Sequence, residues 1–264
     1  MCGVRHSLDG ASWGTVLGMT QLGLPDGIQA CLFDLDGVVT KTAVVHAAAW
    51  KETFDAFLRD YAGEQGRPFD AVADYDEYVD GRPRADGVRA FLASRGIHLP
   101  EGTPEDPPDA RTVHGLGNRK NVLLLERIHT GGVEAYEGTL RYLEAVRAEG
   151  LRTAIVSSSA NCRDVLRSVG AEHFFDVRID GVVSAERHLP GKPHPDTFLA
   201  AAHDLGVEPS RAAVFEDALA GMDAGRAGGF GYVVGVDRVG QADALYAHGA
   251  TVVVQDLAEL GGKQ

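Results

Sequence analysis

Two aspartates follow the first apolar run of the chain at a spacing of two residues. Asp34 and Asp36 come directly after the apolar segment 28–33 and are followed by a glycine. Because side chains alternate along a strand, residues two apart point to the same side, and both carboxylates would then share one pocket. For the isolated pair, a turn at Asp36 and a solvated strand end at Asp34 are an equal alternative.

A second acidic pair, Glu216 and Asp217, follows the apolar run 212–215. The carboxyl ends of parallel strands meet at one edge of a sheet, so this pair would lie beside Asp34 and Asp36. Clustered carboxylates repel one another unless a cation or protons compensate, and hard oxygen ligands suit Mg²⁺. The sequence therefore predicts a magnesium site. Taken alone, Asp217 is more simply explained as the N-cap of the next helix.

Three serines and a lysine could hold a phosphate beside this site. Ser157, Ser158 and Ser159 follow the apolar run 153–156, and a helix is predicted to begin near Asn161. Hydroxyls and backbone N–H groups at the start of a helix suit a phosphate, whereas a plain N-cap would require only one serine. Lys192 precedes another predicted helix; a lone lysine is usually solvated, but near carboxylates and phosphate it would neutralise developing charge.

An alternation of strands and helices must position these residues. Short apolar runs predict buried strands, and stripes of apolar residues within 140–146 and 198–205 predict amphipathic helices. This order is typical of an α/β fold, a Rossmann-like doubly wound parallel sheet with helices on both faces. The predicted strands are 28–33, 153–156, 177–179, 212–215, 232–236 and 251–254.

The segment 42–134 interrupts the alternation. It contains helical stripes within 47–57, 88–92 and 122–128 and no convincing buried strand, which predicts an all-helical insertion after the first strand. Four prolines interrupt an acidic stretch inside it and predict an exposed loop. These prolines are Pro100, Pro104, Pro107 and Pro108.

Composition excludes several classes of function. With 264 residues and a formal net charge of −13, the chain does not attract nucleic acid in general. Its apolar runs are far shorter than a membrane span requires, and three scattered cysteines, Cys2, Cys31 and Cys162, fit a reducing cytoplasm. Residues 1–25 lack the apolar core of a secretory signal and are predicted to be a loosely held extension.

The ordered set of motifs resembles the haloacid dehalogenase superfamily of phosphoryl-transfer enzymes. The resemblance covers nearly everything after residue 28, and Thr42, His46 and Trp50 extend it to the β-phosphoglucomutase-like branch. It implies a core formed by residues 1–41 and 135–264 and a helical cap formed by residues 42–134. The motifs are the run 33–42 with Asp34 and Asp36, then Ser157, Lys192 and the pair Glu216-Asp217.

The resemblance also implies roles for the residues at the strand ends. Asp34 would be the nucleophile that forms an aspartyl-phosphate, and Asp36 would be the general acid and base. Mg²⁺ would be held by Asp34, the backbone carbonyl of Asp36 and Asp217, with Glu216 close by. The transferring phosphoryl group would be bound by Ser157 and Lys192 and by the rest of the phosphate loop, Ser158, Ser159 and Asn161.

In the cap, the resemblance implies that the substrate is held by residues of three segments. Arg84 would grip a second, non-transferring phosphate, Lys120 would reach the substrate, and His46 would orient Asp36, with Thr42 and Trp50 nearby. The alternatives are solvated charges for Arg84 and Lys120, and an ordinary polar helix position for His46. Two positions depart from the mutase pattern, since Asp80 and Ala160 stand where that pattern has lysines.

These features predict Mg²⁺-dependent phosphoryl transfer on a small phosphorylated sugar, with conversion of a hexose 1-phosphate to a 6-phosphate as the leading hypothesis. A phosphatase acting on a similar monoester is the alternative, because the two reactions differ only in whether a sugar hydroxyl or water accepts the phosphoryl group. A phosphoacceptor signalling module is an alternative of another class, although it needs neither Asp36 nor a cap. A glycosidase leaves Lys192 unexplained. A monomer or weak dimer is expected.

Overall fold

The computed structural model describes residues 18–62 and 67–261. Its centre is a parallel sheet of six strands in the order β3-β2-β1-β4-β5-β6, which confirms the predicted doubly wound α/β fold. The strands are β1 (Ala30–Phe33), β2 (Arg152–Val156), β3 (Val177–Ile179), β4 (Ala212–Glu216), β5 (Tyr232–Val236) and β6 (Val252–Val254). Each predicted strand is present, with ends shifted by no more than two residues.

Helices cover both faces of this sheet because its central strands are apolar on both sides. Phe33 of β1 packs on one face with Phe215 and Tyr142, whereas Leu32 packs on the other with Phe198. This alternation buries every residue of β1 and fixes the strand in the middle of the fold. The covering helices are α5 (Glu137–Ala148), α6 (Cys162–Ser168), α7 (Gly181–Glu186), α8 (Asp196–Leu205), α9 (Leu219–Ala227) and α10 (Ala242–Ala247).

Between β1 and α5, the described residues form four helices and no strand, as predicted. Trp50, Phe54, Phe69 and Phe91 pack into an aromatic cluster that gives this helical insertion a hydrophobic core of its own. The exact boundaries of the proposed cap, at residues 42 and 134, remain a prediction. The helices are α1 (Ala43–Ala62), α2 (Ala73–Tyr78), α3 (Arg84–Ser94) and α4 (Val113–Gly131).

The prediction of a loosely held N-terminal extension is wrong for its last residues. Leu22 and Leu24 are buried in the core on the Phe33 face of the sheet, and the hydroxyl of Tyr142 donates a hydrogen bond of 2.9 Å to the carbonyl of Leu22. Two isolated leucines among glycines have no periodicity, so no sequence pattern indicated this packing. Residues 1–17, including Cys2, lie outside the described residues.

Two further expectations concern membrane-spanning helices and the cysteines. Across residues 18–62 and 67–261, none of the helices combines the length and the apolarity that a bilayer crossing requires. Cys31 and Cys162 are both buried free thiols. Neither contributes a ligand to the acidic cluster described below.

Candidate active site

The sheet register brings the core residues of the site together. Phe33 of β1 pairs with Ile155 of β2 and with Phe215 of β4. Asp34 and Glu216, each one residue further along, therefore lie side by side at the carboxyl edge of the sheet. The same edge carries the turn that begins at Asp36, which confirms the expected meeting of the two acidic pairs.

Lys192 joins these carboxylates in one buried ionic cluster. Its Nζ lies 2.5 Å from Asp34 Oδ1 and 2.5 Å from Glu216 Oε1, and it donates a third hydrogen bond of 3.0 Å to the carbonyl of Val156. The side chain is 1% exposed, so the three acceptors replace the water that a lysine normally binds. Lys192 is therefore a structural counter-ion of the site and is no solvated surface charge.

Burial sets the protonation of this cluster. It raises the pKa of Asp34 to about 6 and of Glu216 to about 7, although Lys192 opposes both shifts. Burial also disfavours the charge on Lys192, but the two carboxylates outweigh it and raise the pKa of the lysine. The lysine thus keeps its charge at neutral pH, and both carboxylates are held near the point where they ionise.

An oxygen from each of Asp34, Glu216 and Asp217 lies within 4.8 Å of the others. Asp217 Oδ1 is buried without a hydrogen-bond partner, which is costly unless a ligand binds to it. Burial, followed by the neighbouring carboxylates, raises the pKa of Asp217 well above its usual value. Three clustered carboxylates with one unsatisfied oxygen fit a hard divalent cation such as Mg²⁺. The carboxylate of Asp36 is not in this group, and a role for its backbone carbonyl remains a prediction.

Asp36 is held from the side of the helical insertion. The Thr42 hydroxyl donates a hydrogen bond to its carboxylate, and His46 Nε2 lies 3.5 Å from Asp36 Oδ1. Lys120 Nζ is 3.1 Å from His46 Nδ1 and lies 5.0 Å from the centre of the Trp50 ring. A row of polar groups from α4 through α1 thus ends on Asp36.

The pKa values in this row follow from burial. Burial raises the pKa of Asp36, and it lowers the pKa of His46 well below its usual value, with Lys120 and Arg84 adding to the effect. Burial also lowers the pKa of Lys120 to about 7. A neutral His46 can accept a hydrogen bond from Lys120 at Nδ1 and present its Nε2 hydrogen to Asp36.

The serine run forms the predicted loop between β2 and α6, but its side chains have different partners. Ser157 is buried, and its hydroxyl accepts a hydrogen bond of 3.0 Å from the backbone of Ser159. Ser158 donates to the carbonyl of Gly81 at 2.7 Å, and Asn161 Nδ2 donates to Asn121 Oδ1 at 3.0 Å. Two predicted substrate residues, Ser158 and Asn161, therefore connect the sheet edge to the helical insertion.

A cavity of about 410 Å³ lies between the sheet edge and the helical insertion, a size suited to a small metabolite. Thr42 is not on the surface of the cavity. It lies behind Asp36 and contacts the carboxylate of Asp36 where we had expected a contact with the substrate. Ser157, Lys192 and Glu216 likewise lie behind the surface. Of the predicted residues, those on the surface are Asp34, Asp36, His46, Trp50, Arg84, Lys120, Ser158, Ser159, Asn161 and Asp217.

The cavity has further lining residues that sequence reasoning missed, among them Tyr75, His114 and Asn118. Asp80, which belongs to the run 80–84 that resembles the substrate loop of the mutase branch and departs from its pattern, also lines the cavity. Burial raises its pKa to about 8, although a hydrogen bond from Tyr75 opposes the shift. Helix periodicity could have indicated only those lining residues that belong to α4. His114, Gly117, Asn121 and Leu124 recur at intervals of three or four along α4 and so share one face.

The turn after Asp36 requires a glycine. Gly37 has φ +86°, and a Cβ at this position would lie 1.7 Å from Asp217 Oδ2. The backbone of the first acidic motif therefore lies directly against the side chain of the second, which is possible only without a side chain between them. Gly37 thus has a role in the site that is independent of turn formation.

The sheet edge carries an acidic cluster and a buried lysine beneath a helical insertion, an arrangement that fits the class of phosphoryl-transfer enzymes. The sequence profile of the family described as haloacid dehalogenase-like hydrolase matches residues 28–229. The chain belongs to this family.

Individual relatives refine the picture. The chain is 57% identical to the β-phosphoglucomutase of Mycobacterium tuberculosis over 90% of its length and 94% of that protein. It is 30% identical to the fructose-1-phosphate phosphatase YqaB of Escherichia coli, covering 75% of this chain and 91% of that one. Among solved structures, the β-phosphoglucomutase of Clostridium difficile superposes with a TM-score of 0.70 at 27% identity, covering 88% and 93% of the two chains. The chain is thus an enzyme, and the signalling-module alternative is set aside.

Proposed function

We propose that this enzyme converts β-glucose 1-phosphate to glucose 6-phosphate through an aspartyl-phosphate at Asp34. One observation carries the proposal. Asp34 and Asp36 face the same cavity, which is also lined by Arg84 and Lys120 from the helical insertion. A sugar that bears two phosphates during the reaction needs one reactive site and one holding site, and the cavity offers residues suited to both.

In the first step, a carboxylate oxygen of Asp34 attacks the phosphorus on C1 of β-glucose 1,6-bisphosphate, and glucose 6-phosphate is the leaving group. The Asp34–phosphorus bond forms while the bond from phosphorus to the leaving sugar oxygen breaks. Asp36 transfers a proton to that oxygen and becomes a carboxylate. Lys192 holds Asp34 Oδ1 throughout, so the carboxylate is oriented before the substrate arrives.

In the second step, the 6-hydroxyl of β-glucose 1-phosphate accepts the phosphoryl group, and the bisphosphate forms again. Asp36 takes the proton of this hydroxyl, its oxygen attacks phosphorus, and the bond to Asp34 breaks. Because one proton leaves Asp36 and one returns, the enzyme regains its starting state. The hydrogen bond from Thr42 and the approach of His46 keep Asp36 in reach of both sugar oxygens.

The acidic cluster would hold Mg²⁺ through Asp34, Asp217 and the backbone carbonyl of Asp36, with Glu216 as the adjoining carboxylate. When bound, the cation offsets negative charge on the transferring phosphoryl group. Ser157 orders the phosphate loop by bonding to the backbone of Ser159, which leaves the loop suited to the phosphoryl oxygens.

Arg84 and Lys120 would hold the phosphate that is not being transferred. A guanidinium can bind phosphate in a bidentate way, and the lysine lies on the same side of the cavity. These two cations support the bisphosphate step despite the absence of lysines at Asp80 and Ala160.

We further propose that a small phosphorylated sugar is the partner of this enzyme, with neither nucleic acid nor membrane involved. The net charge of −13 disfavours nucleic acid as a partner, and the free thiols of Cys31 and Cys162 fit a reducing cytoplasm. A monomer or weak dimer remains our expectation.

Hydrolysis is the second candidate function, and Asp80 is the observation that favours it. A carboxylate in the cavity where the mutase pattern has a lysine weakens the hold on a second phosphate. Water could then accept the phosphoryl group from Asp34, as in a phosphatase.

The two functions differ in their products. β-Glucose 1-phosphate is supplied with Mg²⁺ and a trace of β-glucose 1,6-bisphosphate, and glucose 6-phosphate and inorganic phosphate are measured in the same sample. We expect glucose 6-phosphate to account for most of the substrate consumed. Inorganic phosphate as the sole product would replace the mutase by the phosphatase.

A further inference from the structure

The segment between α3 and α4 includes a long stretch that carries no helix or strand. We name residues 100–112 of this segment the proline loop. We propose that the proline loop is a fixed wall of the substrate cavity, and that Pro104 at this wall restricts the enzyme to phosphates of a single sugar unit. The proposal rests on the proposed function for the identity of the smaller substrate.

The position of Pro104 is the first support. It lines the cavity together with Arg84, His114 and Asn118, although Pro104 itself, like most of the loop, is exposed to solvent. Arg84 crosses α4 at Gly117, where a Cβ would lie 3.2 Å from Arg84 Cγ. The wall therefore adjoins the subsite proposed for the second phosphate, and an additional sugar unit on the substrate would meet it.

Hydrogen bonds inside the proline loop make the wall rigid. The carboxylate of Asp106 accepts hydrogen bonds from the hydroxyls of Thr112, at 2.6 Å, and Thr103, at 3.1 Å. The same Thr112 hydroxyl caps α4 by accepting from the backbone of Gly115 at 2.9 Å. A loop that is cross-linked in this way does not move aside at low cost when a larger ligand arrives.

Asn118 fastens the loop to the helix that lines the cavity. Its amide nitrogen donates to the carbonyls of Pro104 at 2.9 Å and of Asp106 at 2.8 Å. Both amide hydrogens are thereby used, so Asn118 holds the wall instead of donating to a sugar. Because Asn118 and Lys120 belong to the same helix, the wall and the proposed phosphate-holding lysine form one unit.

Two prolines of the loop offer a matched pair of variants. Pro104 and Pro108 both follow the first residue of a four-residue turn, closed by the backbone bonds Asp106 to Thr103 at 3.0 Å and Ala110 to Pro107 at 2.9 Å. Only Pro104 lines the cavity. Proline-to-glycine changes at the two positions therefore have similar effects on the unfolded chain and the turn, and differ in what they remove from the cavity.

The experiment compares kcat/KM for total ester turnover on β-glucose 1-phosphate and on β-maltose 1-phosphate, which adds one glucose unit. We expect Pro104→Gly to raise the ratio of the longer to the shorter substrate by about tenfold, because relieving one steric clash changes discrimination by roughly that factor. Asn118→Ala, which releases the wall, shifts the ratio in the same direction. Pro108→Gly leaves the ratio unchanged, and thermal melts confirm that all three variants fold.

An unchanged ratio in folded Pro104→Gly, or an equal rise in Pro108→Gly, overturns the proposal. Failure of the mutase assignment is a separate outcome, because total ester turnover is counted whether glucose 6-phosphate or inorganic phosphate is formed. Equilibrium binding of the two esters to Asp34→Asn, with and without Pro104→Gly, gives a second readout independent of chemistry. If both esters bind equally before Pro104 is changed, or neither binds, the wall has no role in selection.

Discussion

The two sides of the cavity differ in how their positive charges are partnered. On the sheet side, Lys192 makes three hydrogen bonds to protein acceptors and two carboxylates share its charge. On the side of the helical insertion, the cations face the cavity without such partners. Among the described residues, neither Arg84 nor Lys120 has a carboxylate within ion-pair distance, and Lys120 bonds to His46 instead.

This difference separates the chemistry from the choice of substrate. The sheet side is a preassembled set of charges whose positions follow from strand register, so it is ready before a ligand binds. The insertion side carries positive charge that burial destabilises, and an anionic ligand relieves that cost. We infer that the sheet side performs phosphoryl transfer on many esters, whereas the insertion side decides which ester is held long enough to react.

The largest effect should come from the sheet side. Asp34→Asn removes the nucleophile but keeps the size of the side chain and its place beside Lys192. We expect turnover of β-glucose 1-phosphate to fall by about 10⁴-fold, since without a nucleophile no covalent intermediate forms. Far-UV circular dichroism and the thermal midpoint check that the fold is retained. Activity within tenfold of the unaltered enzyme would remove Asp34 from its role.

A stability measurement tests whether the charges on the sheet side neutralise one another. Lys192→Met leaves Asp34 and Glu216 buried without their counter-ion, and removing one partner of a buried ion pair costs about 3–5 kcal/mol. Urea unfolding in metal-free buffer measures this loss. The double variant Lys192→Met with Asp34→Asn should recover part of it, because one of the two unpaired charges is gone.

The matched control for Lys192 is another lysine in an ion pair. Lys41 lies 2.7 Å from Glu134, but both side chains are exposed, and exposed pairs contribute little. Lys41→Met should therefore leave the urea midpoint nearly unchanged. Equal losses for the two lysines would mean that burial of the cluster at Lys192 has no energetic consequence.

The sheet side was also the part that the sequence predicted best. The apolar runs before Asp34 and Glu216 have to be central strands, and parallel strands end at a common edge, so backbone geometry alone brings these residues together. Which atoms Lys192 contacts was not predictable, because that depends on the path of the loop before α8. The position of Thr42 behind Asp36 was not predictable for the same reason.

The insertion side was predicted less well because no repeating backbone rule positions its residues. Helix periodicity placed stripes on α1 and α4, but the packing between helices depends on side chains far apart in sequence, such as Trp50, Phe54 and Phe91. The part of the proline loop in the cavity wall followed from single hydrogen bonds, such as those of Asn118, that no local pattern reveals. The burial of Asp80 in the cavity likewise depends on tertiary packing that no local pattern reveals.

A smaller effect, on KM, should come from the insertion side as the pH changes. The pKa of Lys120 is lowered to about 7, so the side chain is charged below pH 7 and neutral above it. A neutral lysine holds a phosphate less well, and KM for β-glucose 1-phosphate should rise as pH increases from 6 to 8. His46, Asp80 and Arg84 also face this part of the cavity, and the substrate phosphate titrates nearby, so the unaltered enzyme alone does not isolate Lys120.

Two variants bracket the titration of Lys120. Lys120→Arg stays charged at every pH of the experiment, and Lys120→Met is neutral throughout, while the other titrating groups are common to all three proteins. The KM of the unaltered enzyme should match that of Lys120→Arg at pH 6 and approach that of Lys120→Met at pH 8, a relative change of about tenfold across one unit either side of the pKa. A constant ratio of KM between the unaltered enzyme and Lys120→Arg would show that Lys120 does not titrate against the substrate. In that case Lys120 would stay charged at every pH of the experiment, as Lys192 does. The two sides of the cavity would then differ only in how their charged groups are arranged.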